Sequence, residues 1–396
     1  MFNNETLQKI LLNYLYRSAA HPSPEELNIL AENISRLSNL FTRDRANLRT
    51  EYPKDKYIRK AYIPYFLQSN LYKVHIPLRE LSLHPANIFM TDRLRILDLG
   101  SGPGTAILGI SEYFHQSGYK PFLDFYAIDN ISENLRDAEA LFNLLRNEYS
   151  IEGSIKTFKS CIEKVKNLPA GPFDIIILSN ILSEVAHNKP ERIAKRGAIL
   201  KRFIEDFLND SGSCIVIEPA LRKTSREMLE VRDKLLKDGF HIYSPCLINK
   251  DCPALENPKD WCHEDIPWNP PELIKSIDAL TGLWKDSIKF SYLVIRKDTL
   301  SLTDIHGEHS FRVVSEPLIS KGKIEFYVCG SMGRRLIMRL DKDRSGLNKA
   351  FEEMKRGDIV ILKGFINEGN RLKVSFETFL HQHTKSTAIN LSNSGL

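Results

Sequence analysis

The hydrophobic positions change period along the chain, and those changes divide it. Leu7, Ile10, Leu11 and Tyr14 recur at three- and four-residue spacing, the mark of one helix face. Pro22 and Pro24 interrupt that pattern and Glu25–Leu40 resumes it, so residues 1–90 are expected to be a helical region. From Leu94 short apolar runs take over and alternate with longer amphipathic stretches. Leu94–Leu99, Phe125–Asp129, Ile155–Phe158, Phe173–Ser179, Cys214–Glu218, His241–Ser244 and Ser291–Arg296 predict seven strands. Glu133–Tyr149, Pro190–Asn209 and Thr224–Asp238 predict helices between them. Such alternation builds an α/β sheet with helices on both faces, expected here over residues 91–304. Past residue 305 the runs shorten again: Phe311–Val314, Lys323–Cys329, Leu336–Leu340, Asp358–Ile366 and Arg371–Glu377, with one helix at Leu347–Lys355. Short strands around a single helix predict a small OB-like β-module over residues 305–384. Residues 385–396 are polar and expected to be a disordered tail.

The first strand leads into the most informative stretch, Arg-Ile-Leu-Asp-Leu-Gly-Ser-Gly-Pro-Gly-Thr, from Arg95 to Thr105. Strand, glycine turn and helix form the opening unit of nucleotide-binding sheets, where glycines let backbone approach a ligand. The dinucleotide fingerprint needs a glycine where Thr105 stands. An acid ahead of G-x-G-x-G instead resembles motif I of class I S-adenosylmethionine (SAM) methyltransferases. That resemblance implies that Asp98, Gly100, Ser101, Gly102 and Gly104 surround the methionine end of SAM. It also implies a Rossmann-like sheet of seven strands with the last antiparallel. Asp129 closes the second strand, where a carboxylate can accept the hydroxyls of a ribose. The fourth strand ends in Leu178-Ser179-Asn180-Ile181-Leu182-Ser183-Glu184, which is not the Pro-Pro-aromatic motif of amino-methylating enzymes. Asn180 joins the candidate cofactor residues, and Asn180 and Glu184 are candidate polar groups on the substrate side. Asn269-Pro270-Pro271-Glu272 reads as a turn before a helix, and no catalytic base stands out.

Whole-chain properties bound the partners. At 396 residues two or three domains are expected, and no apolar run approaches the roughly 20 residues that span a bilayer. The N-terminus carries no signal-peptide pattern, so a cytoplasmic, membrane-free protein is expected, and a monomer. Net charge is +5, and residues 305–396 hold 15 Lys/Arg against 10 Asp/Glu, the same excess. A basic β-module suits RNA contact or a solvated surface equally. Its candidate RNA-facing residues are Arg334, Arg335, Arg339, Lys342 and Arg344. A second basic run, Arg43–Lys60, interleaves with tyrosines; it suits a nucleic-acid groove or a solvated helix face.

Six cysteines in a reducing compartment suggest metal ligation or inert thiols rather than disulfides. Cys246, Cys252 and Cys262 fall in one proline-punctuated loop, residues 245–270, after the sixth strand. Thiolates suit zinc or iron–sulfur clusters, and four are usual. No C-x-x-C hairpin of the zinc-knuckle kind is present, and the irregular spacing favours a [4Fe–4S] cube with zinc as the alternative. Cys329, before a glycine turn, is a candidate fourth ligand. Cys214 sits in a β-branched strand as an apolar filler. The glycine loop Leu97–Ala106, the strand Phe173–Glu184, Ile217-Glu218-Pro219 and the cysteine loop with Asp260-Trp261-Cys262-His263 together resemble one family. It is the small-ribosomal-subunit methyltransferase-like family of mitochondrial assembly proteins and bacterial relatives. The resemblance spans roughly residues 60–375. It implies SAM binding, rRNA or small-subunit binding, and a [4Fe–4S] cluster on Cys246, Cys252, Cys262 and Cys329. Two alternatives stay open: a non-catalytic assembly factor with a vestigial pocket, and a small-molecule methyltransferase with structural zinc.

Overall fold

A computed structural model describes residues 5–17, 22–43, 52, 55–164 and 170–384. Much of the basic run Arg43–Lys60, and the tail from Lys385, lie outside the described residues.

The first sheet comprises β1 (Arg93–Leu99), β2 (Phe122–Asp129), β3 (Gly153–Lys159), β4 (Phe173–Ser179), β5 (Leu208–Pro219), β6 (His241–Ser244), β7 (Glu264–Pro267) and β8 (Ser287–Arg296). Its order is β3-β2-β1-β4-β5-β8-β6, with β7 added on β8. β1 to β5 pair in parallel, while β8 runs antiparallel to β5 and β6. This is the class I methyltransferase arrangement, in which the strand order reverses between β1 and β4 and leaves a crevice at the carboxyl ends. The seven expected strands are present. β7 is an eighth, inside the stretch expected to be irregular loop, because Glu264–Pro267 finds an open edge on β8.

Successive side chains in a strand face opposite ways, so runs such as Ile175-Ile176-Ile177 feed two cores. Ile175 and Ile177 join Ile96, Phe125 and Ile217 under the helices Thr105–Ser117 and Ser132–Tyr149 and the N-terminal helices. Ile176 joins Leu97, Ile128, Leu178 and Val216 under the helices Arg192–Phe207 and Arg222–Lys237. The N-terminal region is helical as expected, with Pro24–Thr42 started by a Ser23–Glu26 capping box. From Lys56 to Leu81 consecutive helical turns, one of them a π-helical turn at Ile63–Leu67, pack against the helix Thr105–Ser117 and β8.

The C-terminal sheet holds β9 (Ser310–Val313), β10 (Leu318–Ser320), β11 (Lys323–Gly330), β12 (Gly333–Leu340), β13 (Ile359–Lys363), β14 (Ile366–Glu368), β15 (Arg371–Val374) and β16 (Phe379–Thr384). Its path is β14-β15-β12-β11-β9-β13-β16, with β10 on β11, around a third core that includes Phe311, Phe326, Phe351 and Leu372. The helix expected at Leu347–Lys355 is a pair of 3₁₀ turns at Gly346–Glu352, split at Asn348, whose backbone is not helical. Among the described residues no helix is long and apolar enough to cross a membrane.

Candidate functional site

At the carboxyl end of β1 the chain turns through Gly100, Gly102 and Gly104 with φ of +74°, +54° and +84°. Non-glycine residues adopt that region only at a cost. Gly100 and Ser101 donate their N–H groups to the Ile128 carbonyl, which fixes the loop against β2. A Cβ at Gly100 would lie 2.6 Å from Ile181, whereas a Cβ at Gly102 would meet nothing within 4 Å. The middle of the loop is therefore an open cradle, walled by the end of β4.

Two carboxylates flank it. Asp98 is 1% exposed, and neither of its oxygens has a hydrogen-bond partner among the described residues. Burial, and then the nearby Asp129, push its carboxyl up to about 8. A buried acid left unsatisfied is costly unless a donor or cation completes it. Asp129 accepts from Gly102 N at 2.9 Å, Ile131 N at 2.8 Å and Asn134 Nδ2 at 3.4 Å. Burial raises its carboxyl while these bonds lower it. Those three bonds take most of the four or so acceptor sites of a carboxylate, so Asp129 organises the loop in addition to facing the crevice. Asn180, at the tip of β4, sits at φ +60°, donates its N–H to Ile217 O at 2.7 Å, and has a buried Oδ1 with no partner among the described residues.

The N-terminal helices close this end. Tyr62 OH accepts from Thr105 Oγ1 at 3.3 Å, on the first turn after the loop, and from Asn70 Nδ2 at 3.1 Å. Burial raises the Tyr62 hydroxyl against the bonds from Thr105 and Asn70, and burial, then Tyr62, Asp129 and Glu184, raise that of Tyr52. Tyr62 stacks on Phe66, and Phe41 meets both edge-on. Nearby, burial and then Lys285 push the Lys73 amine down to about 7, with the buried Glu218 at the end of β5 opposing them. Tyr62 and Lys73 fall in the stretch Tyr62–Leu81, which the sequence led us to expect over the mouth of the cofactor site. Tyr52 stood out only as a tyrosine of the basic run, because helical spacing alone does not say which side chains land on a crevice.

The second polar concentration is the cysteine loop. Cys246, Cys252, Cys262 and Cys329 all line one cavity of about 50 Å³, with Arg232 and Arg312 in its wall. That volume exceeds the 10–15 Å³ a single water needs. Burial, followed by the charges of the neighbouring cysteines, pushes the Cys252, Cys262 and Cys329 thiols up to about 12. Cys214 is buried inside β5, as an apolar filler would be, and Cys161 lies apart. His263 also lines the cavity; it stacks on Trp261 and is held down to about 4, chiefly by burial, so its ring is neutral. Among the described residues no three His, Cys, Asp or Glu side chains are grouped to hold a single metal ion.

One helix holds the loop. Arg226 donates from Nη1 to the carbonyls of Ala254, Asn257 and Asp260, and from Nη2 to Leu255. Arg232 donates from Nη1 to Lys250 O and from Nη2 to Ile248 O, both at 2.6 Å. Asp233 accepts the Cys252 N–H at 2.9 Å. The sequence reading missed these residues. The available signal was Arg232 on an otherwise apolar stripe with Met228, Val231 and Leu235, where a solvated cation does not belong.

The proposed RNA-facing set divides. Arg339 is not a surface residue: it is buried and donates to Asn348 and Glu352, because its strand turns it into the C-terminal core. Arg344 pairs with Glu352, and Arg334 pairs with Asp260 at 3.3 Å beneath Tyr327. Arg334 and Arg335 instead line a groove of about 720 Å³ with Lys250, Tyr327 and Arg371, between the cysteine loop and the C-terminal sheet.

The family model described as mitochondrial small ribosomal subunit Rsm22 matches residues 59–359. The chain belongs to that family. The match takes in the glycine loop, the helices over it and all four cavity cysteines. No curated protein matches this sequence. Among solved structures, the plantazolicin methyltransferase BpumL in complex with SAH is 12% identical, covering 69% of this chain and 98% of its own, at a TM-score of 0.31. An rRNA methylase from Streptococcus thermophilus is 11% identical, covering 57% and 95%, at 0.28. An O-methyltransferase family protein from Burkholderia thailandensis is 14% identical, covering 73% and 76%, at 0.34. Likeness this low assigns neither substrate nor activity to this Rsm22-family chain.

Proposed function

We propose that this protein is a SAM-dependent methyltransferase that acts on small-subunit rRNA during ribosome biogenesis and carries a [4Fe–4S] cluster on four cysteines. The observation that carries the SAM reading is the unsatisfied Asp98 carboxylate beside the open Gly102 cradle. A cationic ligand placed there would complete a buried acid that the protein leaves bare. Asp98 would face the charged methionine end of SAM, with Gly100, Ser101, Gly102 and Gly104 closing around it. Asp129 and Asn180 would take its hydroxyls and amide-reaching groups. The small-subunit target rests on the family description, with support from Arg335 and Arg371 in a groove that Lys250, Arg334, Asp251, Glu256 and Asp260 also line. A cytoplasmic location and a monomeric state belong to the same proposal.

The cluster reading rests on the donor set. Four thiols share a cavity without three of them grouping around one point. A zinc ion needs all its ligands at about 2.3 Å from one centre. A [4Fe–4S] cube takes one thiolate at each of its four irons, which matches the number of thiols that line the cavity. When bound, the cluster would supply four strong bonds that tie the loop 245–270 to β11. Calorimetry of the full chain with SAM and its demethylated product tests the pocket, and absence of binding would reject it. Methyl transfer from labelled SAM to small-subunit rRNA tests catalysis. Binding without transfer would select the assembly-factor alternative, which the lack of a Pro-Pro-aromatic motif after β4 also favours.

A further inference from the structure

We propose that Arg232 is the positioning and charge-compensating residue of the four-cysteine site, binding the Cys246 sulfur and setting the reduction potential of the cluster. The inference rests on the cluster reading above.

Arg232 lies on the helix Arg222–Lys237, outside the cysteine loop, and its side chain is 0% exposed. Its Nε donates to Cys246 Sγ at 3.2 Å. The two terminal nitrogens are anchored on Ile248 O and Lys250 O, and Nη1 also meets Asp233 Oδ1 at 2.5 Å. All three nitrogens of the fork are thus committed, and the plane of the guanidinium cannot rotate away from the sulfur. Asp233 in turn holds the Cys252 backbone. Two of the four thiols therefore take their places from one dipeptide, Arg232-Asp233.

A cation buried here has a specific chemical consequence. Four thiolates around a [4Fe–4S]²⁺ core carry a net charge of about −2, which one-electron reduction makes more negative. Desolvated negative charge is expensive, and a fixed donor and cation lower that cost most for the more charged state. Hydrogen bonds to the sulfurs and local charge are the levers that set such potentials. All three arginines near the thiols carry an ion pair, Arg232 with Asp233, Arg312 with Glu80 and Arg334 with Asp260, so what sets Arg232 apart is its contact with sulfur. Arg232 is the arginine whose N–H reaches a cysteine sulfur among the described residues.

The test uses the full chain, loaded anaerobically with iron and sulfide and titrated with dithionite while the reduced cluster is followed by electron paramagnetic resonance. Arg232→Gln should shift the midpoint to more negative potential and lower iron and sulfide per chain. Arg232→Lys, which restores the charge, should recover most of the shift. Arg226→Gln serves as the control for simple loosening: it holds the same loop through carbonyls alone, and should leave the potential in place. Should the Gln variant fail to fold, the wild-type protein labelled with ¹⁵N-arginine still decides. Its reduced cluster should show a ¹⁵N coupling that Arg232→Lys abolishes. A loaded wild type with no such coupling, or Gln and wild-type potentials that coincide, overturns the role of Arg232 and leaves the cluster standing. A wild type that takes up no iron and sulfide overturns the cluster itself, and the role of Arg232 with it.

Discussion

Arg312 and Glu80 meet at 2.6 Å inside the protein, with side chains only 4% and 5% exposed. One belongs to the first strand of the C-terminal sheet and the other to the helix His75–Leu81. Glu80 also accepts from Tyr292 OH, and its backbone carbonyl from Tyr243 OH. Arg312 donates further to Pro245 O, at the start of the cysteine loop, and to Gly357 O. The ion pair thus joins the N-terminal helices, the first sheet, the cysteine loop and the C-terminal sheet. Removing Glu80 leaves the buried Arg312 only the more distant Glu264, at 3.8 Å, as a carboxylate partner among the described residues. Glu80→Ala should therefore cost about 3–5 kcal/mol in denaturant unfolding. Glu80→Leu combined with Arg312→Met should cost less than the sum of the two single changes. Additive costs would show that the two residues act separately.

The glycine loop offers a clean separation of folding from binding. Gly102→Ala places a methyl in open space at φ +54°, so it should cost about 1–2 kcal/mol of stability. The same methyl would occupy the cradle and weaken SAM binding at least about tenfold, or 1.4 kcal/mol. Gly100→Ala meets Ile181 at 2.6 Å and should destabilise more. Paired melting and calorimetry read both effects. Unchanged SAM affinity in a folded Gly102→Ala would place the ligand elsewhere.

Asp98 should make both stability and binding depend on pH. Its carboxyl is raised from the ordinary 3.8 to about 8, so the ligand-free folded state holds a proton that the unfolded chain has released. Stability of the ligand-free protein should therefore fall as pH rises from about 4 to about 8. A cationic ligand favours the ionised acid, so SAM affinity should rise between about pH 6 and 7.5, with proton release. Asp98→Asn should flatten both profiles. Calorimetry in buffers of different ionisation enthalpy counts the proton, and a count of zero would remove Asp98 from the ligand's contacts.

The groove between the cysteine loop and the C-terminal sheet is the surface on which to test RNA contact. Arg335→Glu with Arg371→Glu should weaken binding to small-subunit rRNA across sequences. It should also reduce the slope of log affinity against log salt by roughly 1.4–1.8, for two lost phosphate contacts. Arg339→Glu is no control for this surface, because Arg339 is buried and the variant should misfold. Lys120→Glu, exposed and outside both the groove and the candidate RNA-facing set, is the suitable one. An unaltered slope in the double variant would move the RNA footprint off the groove.

The order of strands, the acid–glycine loop and the acid ending β2 were legible in the sequence because each depends on short-range rules. Period two against period three or four separates strand from helix. A left-handed turn demands glycine. The irregular cysteine spacing without hairpins is likewise visible in the sequence. Other features were decided by packing. Glu264–Pro267 became a strand because β8 had a free edge. Arg339 went inside because it shares a strand face with the core residue Ile337, while Arg335, near the start of the same strand, lines the groove. Tyr62 reached the glycine loop from the N-terminal helices. Cys329 stands by Cys262 because β11 pairs with β9, whose Arg312 is tied to Pro245 and Glu80. Arg232 faces Cys246 because its helix buries the stripe of Met228, Val231 and Leu235. Local backbone preference is written into each short segment. Which faces meet depends on the burial of whole elements at once, and only the folded chain settles it.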